Sequence, residues 1–461
     1  MDDSSILSYD SLSERQSRSR SRSLSESSVS SSLVHRAKLP LMDRPIEFLE
    51  YYPKRRFHPV HLMDTFQDSR YRVIRKLGFG SFSTVWLARD TQLNRYVALK
   101  ICQAENKSEA DGKGSSTTEE TRIYERLAKS TQVSHPGSKH YLPLLDDFWF
   151  NGPNGRHQTL VYEPMAASVT EVKDALFPDG PFPLWTAKSI LWQTLLGLDY
   201  MIENDIVHGD VQPRNLLFTL DDLSDAPEVE LAQDEDIPVT LCLKTELEGG
   251  VKGPRYLVPA DSLMRYLDIS KPFNIKISDL GGSFLTSHPP STPSPPLHLR
   301  GPETLFQGCI SQNQDMWSFG CLIFEFITGI TLFDLSDHPV SEITDDMHFI
   351  DMYNILGFPE DEELRDRHWP NWRKFFTATG EPINHYERRR ERDFDVNGKP
   401  TSHTLEGLLE EGIGGRLSGE ALEATKNLLR GLLQFDTQKR FTTKDVLRHR
   451  WFEEQRGDVC I

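Results

Sequence analysis

Three short segments, in a fixed order, constrain this chain more than its composition does. The first is a strand-like run that ends in lysine, Val97-Ala-Leu-Lys100. The second is His208-Gly-Asp210-Val-Gln-Pro-Arg-Asn215-Leu-Leu, which follows an apolar helical stretch and Ile206-Val207. The third is Ile275-Lys-Ile-Ser-Asp279-Leu-Gly281. An Asp and an Asn five residues apart on one loop can divide two tasks. Asp210 can orient a hydroxyl and accept its proton, while Asn215 ligates a metal. Asp279 puts a carboxylate at a strand end before a glycine turn, which suits Mg²⁺, a cation that prefers oxygen ligands and substrate phosphates. Taken singly, each Asp also suits a turn or a helix cap. The joint order, with the right connecting elements, argues for chemistry.

A glycine turn precedes them. Gly78-Phe79-Gly80-Ser81-Phe-Ser-Thr-Val85 lies between two strand signals, and glycines at such a turn let backbone N–H groups approach phosphates. By itself the pattern fits a plain hairpin turn equally well. Lys100, about 20 residues on, adds weight, because a lysine ending an apolar strand suits a phosphate plus a carboxylate. The alternative for Lys100 is a side chain that snorkels to water.

Around these segments the texture changes along the chain. Fifteen of the first 32 residues are serine, and residues 17–23 read SRSRSRS. Such a stretch buries too little apolar surface to offset its ordering entropy, so residues 1–45 are expected to be a disordered tail. Strand signals start at Tyr71, and a helical stretch opens at Glu119. Residues 185–202 carry helical apolar spacing, and residues 315–330 are nearly all apolar but only 16 long, which predicts a buried core helix rather than a membrane span. Residues 219–236 hold eight Asp or Glu and no Lys or Arg, which reads as a loop insertion. Residues 388–402 read as another exposed insertion, and residues 415–433 return to helix. The order is strand-rich first, helix-rich second.

Charge narrows the partners. Acidic residues outnumber basic ones 69 to 52, for a net charge of −17. A binder of nucleic acid through its phosphates normally has the opposite sign, so no direct nucleic-acid binding is expected. The five cysteines are scattered without a CxxC pair, which argues against a disulfide framework or zinc site and for a reducing compartment. No basic-then-apolar leader opens the sequence and no apolar run reaches about 18 residues, so no membrane association is expected.

In this order the segments resemble a eukaryotic protein kinase, and specifically the SR-protein kinase family in a divergent fungal form. HPVHLMDTF (58–66), RYRVIRKLGFGSFSTVWLARD (70–90), YVALKI (96–101), HGDVQPRN, SDLGG, LRGPE (299–303), DMWSFGCLIFE and KRFTTKDVLRHRWF (439–452) carry the likeness, over roughly residues 45–452. The stretch between Asn215 and Asp279 lies where that family carries a spacer. The resemblance implies an α+β, bilobal fold: an N-lobe antiparallel sheet with one helix over 46–163, a mainly helical C-lobe over 164–452 with insertions near 219–270 and 388–402, and a short tail over 453–461.

It also implies roles. Lys100 would bind the α/β-phosphates of ATP and pair with Glu120, with Glu119 as the alternative partner. Asp210 would be the base, and Asn215 and Asp279 would hold Mg²⁺. Gly78, Phe79, Gly80, Ser81, Val85, Ala98, Glu163, Met165 and Leu217 would complete the nucleotide site, with Tyr162 as gatekeeper. Glu303 would pair with Arg440, and Asp315 would brace the catalytic loop. Three positions depart from the family pattern. Gly209 stands where many kinases have an Arg that needs a phosphorylated activation loop, so activity without that phosphorylation is expected; Thr292-Pro and Ser294-Pro receive no required role. Gln212 replaces Lys; it can still donate to a γ-phosphate but cannot neutralise charge, which predicts a lower rate. Arg214 replaces a Glu that in many kinases recognises substrate Arg.

Residues 1–60 hold ten basic and eight acidic side chains, so the acidic excess sits in the remainder. Asp345, Asp346, Asp351 and Glu360 to Glu363 lie on a segment that in the family docks Arg-rich substrates, and carboxylates bind Arg bidentately. A solvated helix face is the competing reading. The expectation is an ATP- and Mg²⁺-dependent serine/threonine kinase of Arg/Ser-rich proteins, monomeric, cytoplasmic and nuclear, whose Arg-Ser tail can be phosphorylated in cis. Two alternatives stand beside it: a pseudokinase scaffold, and a splicing-associated interaction protein working through its tail.

Overall fold

The computed structural model describes residues 45–105, 118–132, 134–233, 239–242, 245–305, 310–334, 345–369, 371–380, 383 and 404–456. The tail over 1–45, save Pro45, and the insertion at 388–402 lie outside them. A short helix α1 (Tyr51–Arg55) precedes β1 (Thr65–Phe66), β2 (Tyr71–Phe79), β3 (Ser83–Asp90), β4 (Arg95–Cys102), helix α2 (Glu119–Ala128), β5 (Asp146–Gly152) and β6 (Gly155–Tyr162). The strands form one antiparallel sheet in the order β1-β2-β3-β4-β6-β5. Val, Ile, Leu and aromatic residues give these strands their pleated, half-buried character. Val73, Trp86, Ala88, Val97, Leu99 and Val161 pack one face as a core, and burying each large side chain there is worth about 2–3 kcal/mol. Thr118 caps α2, its side chain accepting from the N–H of Thr121.

The chain then leaves the sheet through Glu163 and Pro164 for β7 (Met165–Ser168), α3 (Val169–Leu176) and α4 (Leu184–Glu203). Next come β8 (Ile206–Val207) and β9 (Leu216–Thr219), the inserted elements α5 (Glu228–Leu231), β10 (Thr240–Leu241) and β11 (Tyr256–Leu257), and β12 (Ile275–Ile277) and β13 (Phe284–Leu285). Helices α6 (Pro302–Leu305), α7 (Gln314–Thr328), α8 (Asp345–Leu356), α9 (Glu362–His368), α10 (Leu405–Ile413), α11 (Gly419–Leu432), α12 (Thr443–Arg448) and α13 (Glu453–Arg456) complete the helical part. Its core gathers on α4 and α7, where Trp317, Phe319, Leu322 and Ile323 are fully buried. Helix α7 ends at Gly329, whose φ of 81° is left-handed, the conformation glycine adopts at least cost. Helix α11 starts at Gly419, four residues later than the sequence reading, because Gly414 and Gly415 take left-handed conformations after α10. Two small antiparallel sheets, β12-β9-β7 and β13-β8, set the loops at the lobe junction.

The acidic insertion is not a free loop where it is described. Arg72 pairs with Glu228 at 2.7 Å, and the Arg75 guanidinium donates to the carbonyls of Leu231 and Ala232 and to Asp261. Leu231 and Leu263 bury against Ile74, Leu87 and Tyr96. This cover buries Arg75, while the neighbouring Lys76 is buried against Glu47.

Candidate active site

The local sequence places three charged groups at one point. Strand β4 carries Lys100 into the cleft under the glycine turn, α2 presents Glu120, and Asp279 follows β12 in a left-handed conformation, φ 62° and ψ 72°. Lys100 Nζ bonds Glu120 Oε1 at 2.9 Å and Asp279 Oδ1 at 2.6 Å. Burial disfavours the ammonium, but the Glu120 and Asp279 carboxylates outweigh it and hold the Lys100 pKa well above its ordinary value. Burial pushes the Asp279 carboxyl upward, yet the charge and hydrogen bond of Lys100 bring it below the usual range. Glu119, the alternative partner, turns outward to Arg122 at 3.2 Å.

The second point is Asp210. Gln212 Nε2 donates to both of its oxygens at 2.8 Å, and Asn215 Nδ2 donates to Oδ2 at 2.9 Å. Burial raises the Asp210 pKa, while His208, Gln212 and Asn215 partly offset it. The loop is braced from below, since the N–H groups of His208 and Gly209 both donate to the buried Asp315 carboxylate, at 2.7 and 2.8 Å. His208 Nδ1 accepts from the Asp210 N–H at 3.2 Å, which assigns the proton to Nε2, directed at the Ser278 carbonyl at 3.1 Å. Gly209 has φ 77°, and a side chain there would collide with the Gly282 carbonyl. The loop thus has a backbone reason for glycine besides the loss of a charge. Deeper in the helical part, Arg440 meets Glu303 in a buried bidentate pair at 2.7 and 2.9 Å.

Lys100, Asn215 and Asp279 face a cleft of about 270 Å³, whereas Asp210 and Gln212 are not among its lining residues. Of the residues singled out from sequence, Gly78, Phe79, Gly80, Val85, Ala98, Lys100, Tyr162, Glu163, Met165, Asn215, Leu217 and Asp279 line it. Ser81 does not: it is exposed at the tip of the turn, which the Gly80 N–H closes onto the Ser83 carbonyl at 2.9 Å. Glu120 stands behind Lys100 instead of on the wall. The Glu163 side chain pairs with Lys276. Sequence reasoning missed Leu77, Leu142, Glu171 and Ser262 among the lining residues. Leu77 was legible as the apolar residue before the glycines. Ser262 carries no local signal, because only the folding of the insertion onto β2 brings it to the mouth. Arg214 is exposed at the cleft and has no ion-pair partner among the described residues.

The acidic segment at 345–363 is largely occupied from within. Asp351 is buried, Asp346 accepts from the Trp369 indole, and Asp361 caps α9. Glu362 pairs with Arg373 at 2.7 Å and Glu363 with Arg367 at 3.2 Å. Glu360 remains as an exposed carboxylate.

The donor set fits a hard cation and a polyphosphate. Asn215 spends its amide N–H groups on Asp210, leaving its oxygen for a cation, and Asp279 adds carboxylate oxygen. A lysine bonded to two carboxylates beneath a glycine turn defines a phosphoryl-transfer cleft. The model of the protein kinase domain matches residues 71–227 and 267–452. The chain belongs to the protein kinase family. It is 29% identical over 423 residues to the serine/threonine-protein kinase SRPK of Physarum polycephalum, covering 89% of this chain and 92% of the relative. It is 26% identical over 480 residues to protein kinase dsk1 of Schizosaccharomyces pombe, covering 86% and 83%. Against human SRSF protein kinase 3 it is 35% identical over 173 residues, 37% of this chain and 29% of the relative. The chain is therefore a serine/threonine protein kinase of the SRPK family, and such kinases use ATP and usually Mg²⁺. Among the described residues no helix is long and apolar enough to cross a membrane.

Proposed function

We propose that this kinase phosphorylates serine in Arg/Ser-rich proteins and does so without prior phosphorylation of its activation segment. One observation carries the catalytic reading: Lys100 joins Glu120 and Asp279 in one network while Asp210 is held by two amides. A disassembled site would leave these charges apart.

Bound Mg-ATP supplies the phosphoryl group and the divalent charge that neutralises it. The chain does the rest. Asn215 and Asp279 would hold the cation. Lys100 fixes the phosphates beneath the glycine turn of Gly78, Phe79 and Gly80. Val85, Ala98 and Leu217 enclose the base, and the backbone at Glu163 and Met165 orients it. Asp210 orients the serine hydroxyl and takes its proton as the oxygen–phosphorus bond forms and the bond to the ADP oxygen breaks. Gln212 keeps Asp210 oriented, and its neutral amide adds no positive charge, so a modest rate is expected. Gly209, braced on Asp315, holds the loop with no charge that an activation-segment phosphate must balance.

The substrate class rests on the relatives, one of which is named an SRSF protein kinase. Because α8 and α9 spend most carboxylates on their own Arg and Trp partners, the docking they offer is weaker than the composition suggests. We propose a cytoplasmic and nuclear enzyme, and a monomer, since one kinase unit suffices for the reaction. A phosphotransfer assay on an Arg-Ser peptide tests the reading. Asp210→Asn should cut kcat by about 10²–10⁴-fold, and equal signal from wild type and variant would overturn it.

A further inference from the structure

We propose that Ser294 is a phosphorylation site whose modification switches the kinase off. This rests on the assignment of Asp210 as base and goes beyond it. Ser294 is exposed on the segment between Asp279 and Glu303. Its side chain packs on Gly282, beside the catalytic loop. A side chain begun at Gly282 would meet Ser294 Oγ at 2.9 Å and Asp210 Cβ at 3.3 Å. The hydroxyl and the base therefore flank the same glycine, which has no side chain to separate them. A phosphoryl group on Ser294 brings a charge of about −1.5 to −2 to the side of Asp210, the residue that must receive the acceptor hydroxyl.

The segment resists carrying that charge elsewhere. Pro293, Pro295 and Pro296 have fixed φ. Pro295 is buried, and its carbonyl accepts from Arg300 Nε at 2.8 Å; the Pro296 carbonyl accepts from the Leu299 N–H at 2.9 Å. Two cations, Arg122 and Arg126, lie across the adjoining cavity, but Arg122 pairs with Glu119, and Arg126 with Asp205 and the Asn204 carbonyl. The anchored backbone keeps Ser294 on the Asp210 side.

Ser294-Pro295 suits a proline-directed protein kinase acting in trans. That kinase transfers the γ-phosphoryl group of ATP: the bond to Ser294 Oγ forms, the bond to the ADP oxygen breaks, and the hydroxyl proton passes to the modifying kinase's own base.

The test uses the full chain as wild type, Ser294→Ala, Ser294→Asn and Ser294→Asp. Each is assayed for transfer to an Arg-Ser peptide and to a generic basic acceptor protein, and for binding of a non-hydrolysable ATP analogue. The Ala and Asn forms should stay within about twofold of wild type, whereas Asp should lose about tenfold or more in kcat with analogue binding retained, the deficit shrinking at high salt as charge repulsion is screened. Wild type treated with a proline-directed kinase and ATP should lose activity as phosphate appears on Ser294 by mass spectrometry. Equal activity of the Asp and Asn forms overturns the proposal, as does an unmodified Ser294. So does a gain in activity, which would mean that Arg122 and Arg126 receive the charge. Failure of wild type on the Arg-Ser peptide alone sinks the substrate assignment and leaves the switch to be read on the generic acceptor.

Discussion

Two lysines of the six-stranded sheet, Lys76 on β2 and Lys100 on β4, meet glutamates brought from elsewhere in the chain. Lys76 is fully buried against Glu47, with Tyr52 donating to the same carboxylate and the Phe79 and Trp86 rings 5.5 and 5.2 Å away. Lys100 bonds two carboxylates at the wall of an open cleft. Burial dominates at Lys76 and lowers its pKa, whereas the paired carboxylates win at Lys100 and raise it. One site is sealed, with its charge matched inside the fold. The other keeps more negative than positive charge and has space beside it. A buried lysine therefore signals function through its cavity and its surplus of partners, not through pairing as such.

Four outcomes can break or sharpen this contrast. Lys76→Met should cost about 3–5 kcal/mol of stability in urea unfolding, since Glu47 is left buried without a counter-charge; adding Glu47→Leu should restore most of it. Lys100→Met should leave the unfolding midpoint nearly unchanged and lower kcat by about 10²–10³-fold. Reversal of these two patterns would dissolve the distinction. His140 extends it to a buried base kept neutral. Burial lowers its pKa to about 4, although the hydrogen bond to the Ile275 carbonyl at 2.9 Å works against this. The unfolded chain takes up that proton near pH 6.5, the folded one only near 4. Stability is therefore complete above pH 6.5 and should fall by about 1.4 kcal/mol per pH unit as pH drops toward 4. His140→Asn should flatten that slope in urea titrations at pH 7, 6 and 5. Arg72→Ala, which removes the partly exposed pair with Glu228, should cost about 0–1 kcal/mol. A larger loss would mean that this pair, and not the buried Arg75 and Leu231, fastens the insertion to the sheet.

The site was more legible than its surroundings. Lys100, Asp210, Asn215 and Asp279 stand in short motifs whose backbone geometry is local, so their spacing carried the information. The choice between Glu119 and Glu120 needed the helix, because both open α2 and only the turn set by the Thr118 cap directs Glu120 inward. Residues 219–236 looked solvated because eight acidic residues crowd them. In the fold, Leu231 and Leu263 bury on β2 and β3, and the partners of Arg72 and Arg75 lie 156 to 186 positions away. The carboxylates at 345–363 read either as a docking face or as a solvated one; in the fold Arg367, Arg373 and the Trp369 indole take several of them.

The sequence by itself determined the class of fold, the order of its catalytic segments and the chemistry they can carry. Those follow from strand and helix periodicity and from residues that act within a few positions of each other. Only the tertiary structure decided which charges are available. It buried Lys76 against Glu47 and Arg75 beneath an insertion, neutralised much of an acidic helix pair, made Gly209 a steric requirement and set Ser294 beside Asp210. Each outcome depends on desolvation and contact between distant segments, which no local pattern encodes.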